Sequence, residues 1–314
     1  MPIWFQIASG LALLAIGGEC IVRGAVGVAR RFGVSELLIG LTLVGFGTST
    51  PELLTSINAA LHNANGLAVG NVIGSNIFNI LLIGAVGALI TPIAVRTRTV
   101  VRDGLATIAV TAGLATYAYY FPSVGRLAGA VMLLILGAYV FVAWLTERST
   151  SPGAGEAPAT QRGFVASLLF AAIGLAALIF GADLLVDGAS ALARAMGLSE
   201  TLIGLTIVAI GTSLPELMTS VVAGVRGRSG VALGNVLGSN IYNGLGVLGA
   251  TALVRPVTFP PDLGVVDWSV FVGSAIIFVI FASTRQRIGR GEGALLLLGF
   301  ACYMTYLVAR ASLV

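Results

Sequence analysis

The chain has few charged residues. Asp, Glu, Lys and Arg make up only 10% of its 314 residues, against roughly 25% in a typical soluble domain. Hydrophobic residues account for 57%, and the mean hydropathy is +1.00. Runs of about 20 apolar residues recur along the chain, each long enough to cross a bilayer as a helix. The sequence therefore predicts an all-α, polytopic membrane protein that is embedded in the lipid bilayer.

Histidine and cysteine are also scarce. The single histidine is His62, and the two cysteines, Cys20 and Cys302, show no metal-ligand spacing. These numbers exclude a Cys- or His-based site for zinc, copper or iron. No cofactor is predicted, and no motif of an enzyme is present. All 17 basic residues are arginines that lie between apolar runs, which indicates membrane topology rather than nucleic-acid binding.

The apolar runs predict ten membrane-spanning helices. They cover about residues 3–22, 36–60, 67–91, 104–121, 125–145, 164–185, 199–224, 231–254, 266–283 and 292–311. A polar segment rich in Pro, Gly and Ser separates the fifth helix from the sixth. The predicted organisation is thus a first five-helix half (1–145), a cytoplasmic linker (146–163) and a second five-helix half (164–314).

The arginines predict the orientation of these helices. Four of the 17 lie in loops on one side: Arg126, Arg194, Arg255 and Arg310. The other thirteen lie on the opposite side, which the positive-inside rule makes cytoplasmic. We therefore expect a multi-pass protein of the cytoplasmic (inner) membrane with both termini outside the cytoplasm.

The two halves are copies of each other. The stretch "GFGTSTPELLTS", from Gly45, returns as "AIGTSLPELMTS", from Ala209. An offset of 164 residues aligns them, and 17 of 24 positions are identical between residues 33–56 and 197–220. Because each copy holds five helices, an odd number, the second copy enters the membrane upside down. Inverted repeats of this kind are typical of transporters whose ion site lies near the midplane.

Each repeated stretch places a glutamate in the middle of an apolar span. An ionised carboxylate there costs about 2.5–3.5 kcal/mol on insertion scales, so Glu52 and Glu216 need a compensating function. In the first copy Thr48 and Ser49 lie one turn before Glu52 on the same helix face. Pro51 has no N–H to offer the preceding turn, which frees a backbone carbonyl. The second copy repeats the arrangement with Thr212, Ser213 and Glu216.

The following helix adds further oxygen ligands. "GNVIGSNIFN", residues 70–79, recurs as "GNVLGSNIYN", residues 234–243. Ser75 and Asn79 lie one turn apart on one face, as do Ser239 and Asn243. Two carboxylates with hydroxyl and carbonyl oxygens suit Ca²⁺ better than Mg²⁺, and Na⁺ could use the same oxygens. Glu19 and Asp183, also equivalent across the repeat, either attract cations to the two mouths or are plain interfacial carboxylates.

The doubled motifs resemble the α-repeats of the cation/Ca²⁺ exchanger superfamily, in its prokaryotic sodium/calcium exchanger branch. The resemblance implies that the first and sixth helices slide across the other eight. It also implies ion sites lined by Thr48, Ser49, Glu52, Ser75, Asn79, Thr212, Ser213, Glu216, Ser239 and Asn243. Some family members have an aspartate where this chain has Asn243, so the number of coupling ions stays open.

The leading functional prediction is a secondary antiporter that exchanges Ca²⁺ for Na⁺ by alternating access. A Ca²⁺/H⁺ or other divalent cation/H⁺ antiporter is the alternative. An intramembrane hydrolase that uses the two glutamates lacks a nucleophile and does not explain the inverted repeat. A channel with the same ligands would pass ions without a counter-ion. Ca²⁺, Na⁺ and the lipid bilayer are the predicted partners, with no nucleic acid and no obligate protein partner.

Overall fold

The computed structural model describes residues 1–148, 163–197, 209–261 and 263–311. The helices before residue 149 are α1 (Ile3–Phe32), α2 (Glu36–Ile39), α3 (Gly45–Thr48), α4 (Thr50–Leu61), α5 (Asn65–Phe78), α6 (Ala85–Ile90), α7 (Thr97–Thr99), α8 (Leu105–Tyr120) and α9 (Arg126–Arg148). Those after residue 162 are α10 (Phe164–Ala195), α11 (Ala209–Gly211), α12 (Leu214–Val225), α13 (Ser229–Ile241), α14 (Leu248–Val254), α15 (Val265–Thr284) and α16 (Arg290–Ala311). Short π-helical runs join several of them: Gly40–Val44, Asn79–Gly84, Val100–Gly104 and Tyr242–Val247.

The helices confirm a polytopic helical membrane protein. Within the described residues, six helices are long and apolar enough to cross a membrane, or seven if the bent pair Glu36–Thr48 and Thr50–Leu61 is one span. The first predicted span was too short, because α1 continues for ten residues past residue 22 until Gly33 ends it in a left-handed conformation (φ 62°). Residues 149–162 of the predicted linker and residues 199–208 of the predicted seventh span lie outside the described residues.

The bend in the second span lies at the proline motif. α3 and α4 meet at Ser49, where the segment Glu36–Thr48 makes an angle of 41° with Thr50–Leu61. Pro51 occupies the first turn of α4, where its missing N–H is tolerated. Ser213 precedes α12 in nearly the same backbone conformation (φ −91°, ψ 6°, against φ −81°, ψ 6° for Ser49). The two copies of the motif therefore fold alike.

Short strands join the two halves in a symmetric pattern. β1 (Ile93–Ala94) pairs with β4 (Arg287–Ile288), and β2 (Ser123–Val124) pairs with β3 (Val257–Thr258), both antiparallel. Ile93 is opposite Ile288; 93 + 164 is 257 and 288 − 164 is 124, which is the Val257–Val124 pair. Exchanging the two copies thus maps one strand pair onto the other.

The two longest helices touch backbone to backbone. A Cβ placed on Gly174 of α10 would lie 2.4 Å from the Ile21 nitrogen and 2.8 Å from the Gly17 carbonyl oxygen of α1. Gly10 and Gly181 meet in the same way further along, so the helices run antiparallel. Only glycine allows this approach.

The described interior falls into two apolar clusters. The larger one surrounds α5, α13 and the helices outside them, and its largest fully buried side chains include Phe271 and Phe278. The smaller one joins α1 and α10 to the rest, with Leu14, Ile21 and Leu178 packed near Ala223. The α1–α10 pair therefore rests on the remaining helices through apolar contacts.

Candidate ion-binding site

The two repeated glutamates are buried and meet the opposite copy. Glu52 is 0% exposed and Glu216 is 1% exposed. Ser49 Oγ donates to Glu216 Oε1 at 3.3 Å, and Ser213 Oγ donates to Glu52 Oε1 at 3.5 Å. Each carboxylate is therefore held by the serine that precedes the other glutamate. The two copies of the motif come together at one place in the interior.

Each glutamate keeps one oxygen free of hydrogen bonds. The Oε2 atoms of Glu52 and Glu216 are buried without a partner among the described residues. The amide oxygens of Asn79 and Asn243 are in the same condition. An unsatisfied buried acceptor costs about 1–3 kcal/mol, and more when it is charged. Four such oxygens, two of them on carboxylates, form a donor set that a cation satisfies.

The two asparagines keep their amide oxygens available for a ligand while their amide nitrogens are engaged elsewhere. Asn243 Nδ2 donates to Ser75 Oγ at 3.2 Å, and Asn79 Nδ2 donates to Asn240 Oδ1 at 3.3 Å. Both asparagines lie in π-helical runs, a feature common at functional sites. The sequence analysis predicted Ser75, Asn79 and Asn243 as ligands, and the fold buries all three.

The remaining predicted residues divide unequally. Thr48 and Ser239 are both fully buried, and Ser239 Oγ has no hydrogen-bond partner among the described residues. Thr48 Oγ1 also reaches Asn235 Oδ1 at 3.2 Å. Thr212, the counterpart of Thr48, is half-buried. The structure thus brings nine of the ten predicted residues into the buried interior and leaves Thr212 partly exposed.

Two asparagines that the sequence analysis did not single out support the glutamates from behind. Asn71 Nδ2 donates to the Glu52 carbonyl oxygen at 3.0 Å and to Ser56 Oγ at 2.9 Å. Asn235 Nδ2 makes the equivalent bonds to the Glu216 carbonyl at 3.1 Å and to Ser220 Oγ at 2.9 Å. Both stand second in the repeated "GNVxGSN" motif, so the repeat itself was the available signal.

A second pair that the sequence analysis did not include among the ligands marks the centre of the molecule. Asn76 Nδ2 donates to the Asn240 backbone carbonyl at 3.2 Å. The two residues are 164 positions apart, so each is the repeat equivalent of the other. A residue that contacts its own equivalent must lie close to the axis that relates the copies. Asn79, a candidate ligand, contacts Asn240 and therefore lies near this axis as well.

The geometry limits the chemistry. All candidate ligand atoms are oxygens, two carboxylates supply negative charge, and among the described residues no group of three or more His, Cys, Asp or Glu side chains forms a metal cluster. Such a set suits hard cations such as Ca²⁺ and Na⁺. The fold and the site thus define an integral membrane protein that handles cations.

Comparison with known proteins agrees with this class. The family profile described as "Sodium/calcium exchanger protein" matches residues 2–145 and again residues 166–309. The second match begins and ends 164 residues after the first. The chain belongs to the sodium/calcium exchanger family, which consists of cation/Ca²⁺ exchange transporters rather than enzymes.

Relatives match over nearly the whole chain. The sodium/calcium exchanger MaX1 of Methanosarcina acetivorans is 32% identical, covering 95% of this chain and 96% of its own. The inner membrane protein YrbG of Escherichia coli K12 is 36% identical, covering 95% and 94%. A solved structure of the sodium–calcium exchanger NCX_Mj soaked with Na⁺ and Ca²⁺ superimposes with a TM-score of 0.83 at 34% identity, covering 100% of both chains.

Proposed function

We propose that this protein is a secondary antiporter that exchanges Ca²⁺ for Na⁺ across the membrane by alternating access. The observation that carries the proposal is the pair of buried carboxylate oxygens, Glu52 Oε2 and Glu216 Oε2, that no protein group satisfies among the described residues. One Ca²⁺ or a set of Na⁺ ions would neutralise the two carboxylates in turn. Competition for the same oxygens couples the two fluxes.

The proposed ligands are the ten residues that the sequence indicates: Thr48, Ser49, Glu52, Ser75, Asn79, Thr212, Ser213, Glu216, Ser239 and Asn243. Glu52 and Glu216 supply the charge. Asn79 and Asn243 supply neutral carbonyl oxygens, and the hydroxyls complete the coordination. The burial of nine of them and the serine–glutamate contacts between the copies support this assignment.

The proposed architecture is ten transmembrane helices in two inverted five-helix repeats, residues 1–145 and 164–314, joined by a cytoplasmic linker at 146–163. The exchange-symmetric strand pairs and the Asn76–Asn240 contact support a two-fold relation between the copies. The arginine distribution supports insertion in the cytoplasmic membrane with both termini outside.

Proton coupling is the second candidate. Asn243 leaves the site with two carboxylates, where some family members have a third acidic group. A glutamate in this environment could carry a proton in place of sodium. The names of two matched proteins, MaX1 and NCX_Mj, specify sodium and calcium, which favours the sodium-coupled form.

The test is Ca²⁺ uptake into proteoliposomes loaded with Na⁺ and diluted into Na⁺-free buffer. Matched vesicles carry only a pH gradient, acid inside. We expect uptake that requires internal Na⁺ and that external Na⁺ abolishes. Uptake driven by the pH gradient alone would replace sodium with protons, and uptake without either gradient would contradict antiport.

A further inference from the structure

An ion pair ties α1 to the end of α12. Arg226 Nη2 lies 2.8 Å from Glu19 Oε1, and Arg226 Nε lies 2.8 Å from Glu19 Oε2. Arg23, one turn further along α1, bonds to the same carboxylate. A guanidinium that binds both oxygens of a carboxylate fixes geometry as well as contributing energy. We name the Glu19–Arg226 pair the latch.

Among the described residues, the latch has no repeat-equivalent ion pair. The 164-residue offset pairs Glu19 with Asp183, Arg23 with Asp187 and Arg226 with His62. The acidic group is retained, but both arginines are replaced. The His62 ring nitrogen Nδ1 instead contacts the Asn58 carbonyl of its own helix at 2.9 Å. The ionic connection therefore belongs to one face of the molecule only.

The course of the chain shows on which side of the ion site each of these residues lies. α12 leads from Glu216 to Arg226, and α13 leads from Ser229 past Asn235, so Arg226 and Asn235 lie on the same side of the site. By the repeat, His62 and Asn71 lie on the opposite side. We call these sides the Arg226 face and the His62 face.

Burial beside the ion site is uneven between the two faces. Thr48 and Asn235 are fully buried and hydrogen-bonded to each other at 3.2 Å. Their equivalents toward the His62 face, Thr212 and Asn71, are both half-buried. The more buried side is thus the one that carries the latch, and the less buried side is the one that lacks it.

The latch matters for the position of α1 because the rest of the contact between α1 and α12 is apolar. Gly18 of α1 packs under Val222 and Met218 of α12; a Cβ on Gly18 would lie 2.9 Å from Val222 Cγ2. Apolar contacts of this kind have no strong directional preference along the helix. A bidentate ion pair does, and it sets the position of α1 against α12.

We propose that Glu19 and Arg226 are positioning residues that favour the conformation closed at the Arg226 face, so that the unperturbed exchanger opens mainly to the His62 face. This inference rests on the proposed exchange function. A contact present in only one of two conformations shifts their populations by its own free energy. Loss of the contact must therefore affect the two faces in opposite directions.

The test measures the apparent KM for Ca²⁺ on each face, in right-side-out and inside-out membrane vesicles. For Glu19→Gln we expect KM to fall on the Arg226 face and to rise on the His62 face. The ratio of the two KM values should change by about two- to fivefold, the range of a partly exposed ion pair, and the two faces share this change. Arg226→Gln should give the same pattern, and the double variant should give no more than either single variant.

Two further variants serve as controls. Arg228 lies in the same loop, and its Nη1 is 2.9 Å from Glu36 Oε1, but that pair does not involve α1. Arg228→Gln should leave the KM ratio unchanged. His62→Arg places an arginine at the repeat-equivalent of Arg226, where the offset matches it with Asp183 and Asp187, and it should shift the ratio in the opposite direction to Glu19→Gln.

Shifts of the same sign on both faces in the Glu19 and Arg226 variants, or no shift, would overturn the latch. If one variant does not reach the membrane, the other still carries the measurement. Wild-type vesicles without Na⁺- or H⁺-dependent Ca²⁺ flux would overturn the exchange proposal itself, which is a distinguishable result.

Discussion

The two halves are most alike where the ions are expected to bind and least alike where they would enter. Around Glu52 and Glu216, the serine–carboxylate and asparagine–carbonyl contacts repeat almost atom for atom. At the ends of the same helices, Arg226 stands where the first copy has His62. Under the proposed function, the shared contacts form the ion site, and the difference at the helix ends makes the two faces unequal.

The largest test of this symmetry removes one carboxylate at a time. Glu52→Gln and Glu216→Gln should each reduce Ca²⁺ uptake by more than about a hundredfold, since even outer-shell changes at metal sites cost 10–100-fold. Both proteins should still fold, because the amide keeps the size of the side chain. Glu36→Gln, outside the site, is the control. Normal uptake in either glutamine variant would refute the site assignment.

The supporting asparagines should show a smaller and unequal effect. Asn71→Ala and Asn235→Ala each remove the group that holds a glutamate carbonyl, and we expect Ca²⁺ affinity to fall about ten- to hundredfold. Asn235→Ala should be the more severe, since Asn235 also accepts from Thr48. Ca²⁺ titration of transport measures both. Equal losses would show that the Thr48 contact has no energetic role.

The neutral carbonyl ligands offer a change in the other direction. Asn243→Asp adds a third negative charge, and we expect the half-saturating Ca²⁺ concentration to fall about tenfold, because ligand charge tunes Ca²⁺ affinity. Asn79→Asp should do the same if the site is symmetric. A rise in half-saturation for one variant alone would show that the two positions are not equivalent as ligands.

The smallest expected effect concerns stability. Tyr139 Oη donates to Asp103 Oδ1 at 3.0 Å, and Tyr303 Oη donates to Asp267 Oδ1 at 3.0 Å. Tyr139→Phe and Tyr303→Phe should each cost about 1 kcal/mol of unfolding free energy, read as a similar fall in Tm in detergent. Tyr120→Phe, at a residue 70% exposed, should leave Tm unchanged. Unequal falls in Tm would show that the two tyrosine–aspartate hydrogen bonds do not stabilise the outer helices of the two copies equally.

Nine of the ten residues that the sequence predicts as ligands are buried in the structure, and the repeat identified them because it is close and gap-free there. A fixed offset of 164 residues identified Glu52 and Glu216 as equivalents. The same offset relates the other eight predicted ligands as four equivalent pairs. Periodicity along a helix, however, says nothing about contacts between helices. The serine of one copy meets the glutamate of the other, and no spacing within "GTSTPE" indicates that exchange.

Other features depend on tertiary packing. Asn71 and Asn235 look like ordinary helix-interface residues in the sequence, and their carbonyl contacts exist only once α4 and α5, or α12 and α13, are side by side. α1 continues beyond the predicted span and ends with Arg30 and Arg31 in its last turn, where positive charge stabilises the end of a helix. Hydropathy marks where lipid ends, not where a helix ends.

The strand pairs and the serine–glutamate contacts have a consequence for assembly. Among the described residues, Ile93 pairs with Ile288, Val124 pairs with Val257, and Ser49 reaches the glutamate of the other copy. Under the proposed function each half therefore holds only part of the ion site, and a half made alone should not transport ions. Two halves made as separate chains should regain activity when they bind each other, and joining them in one chain raises their effective concentration.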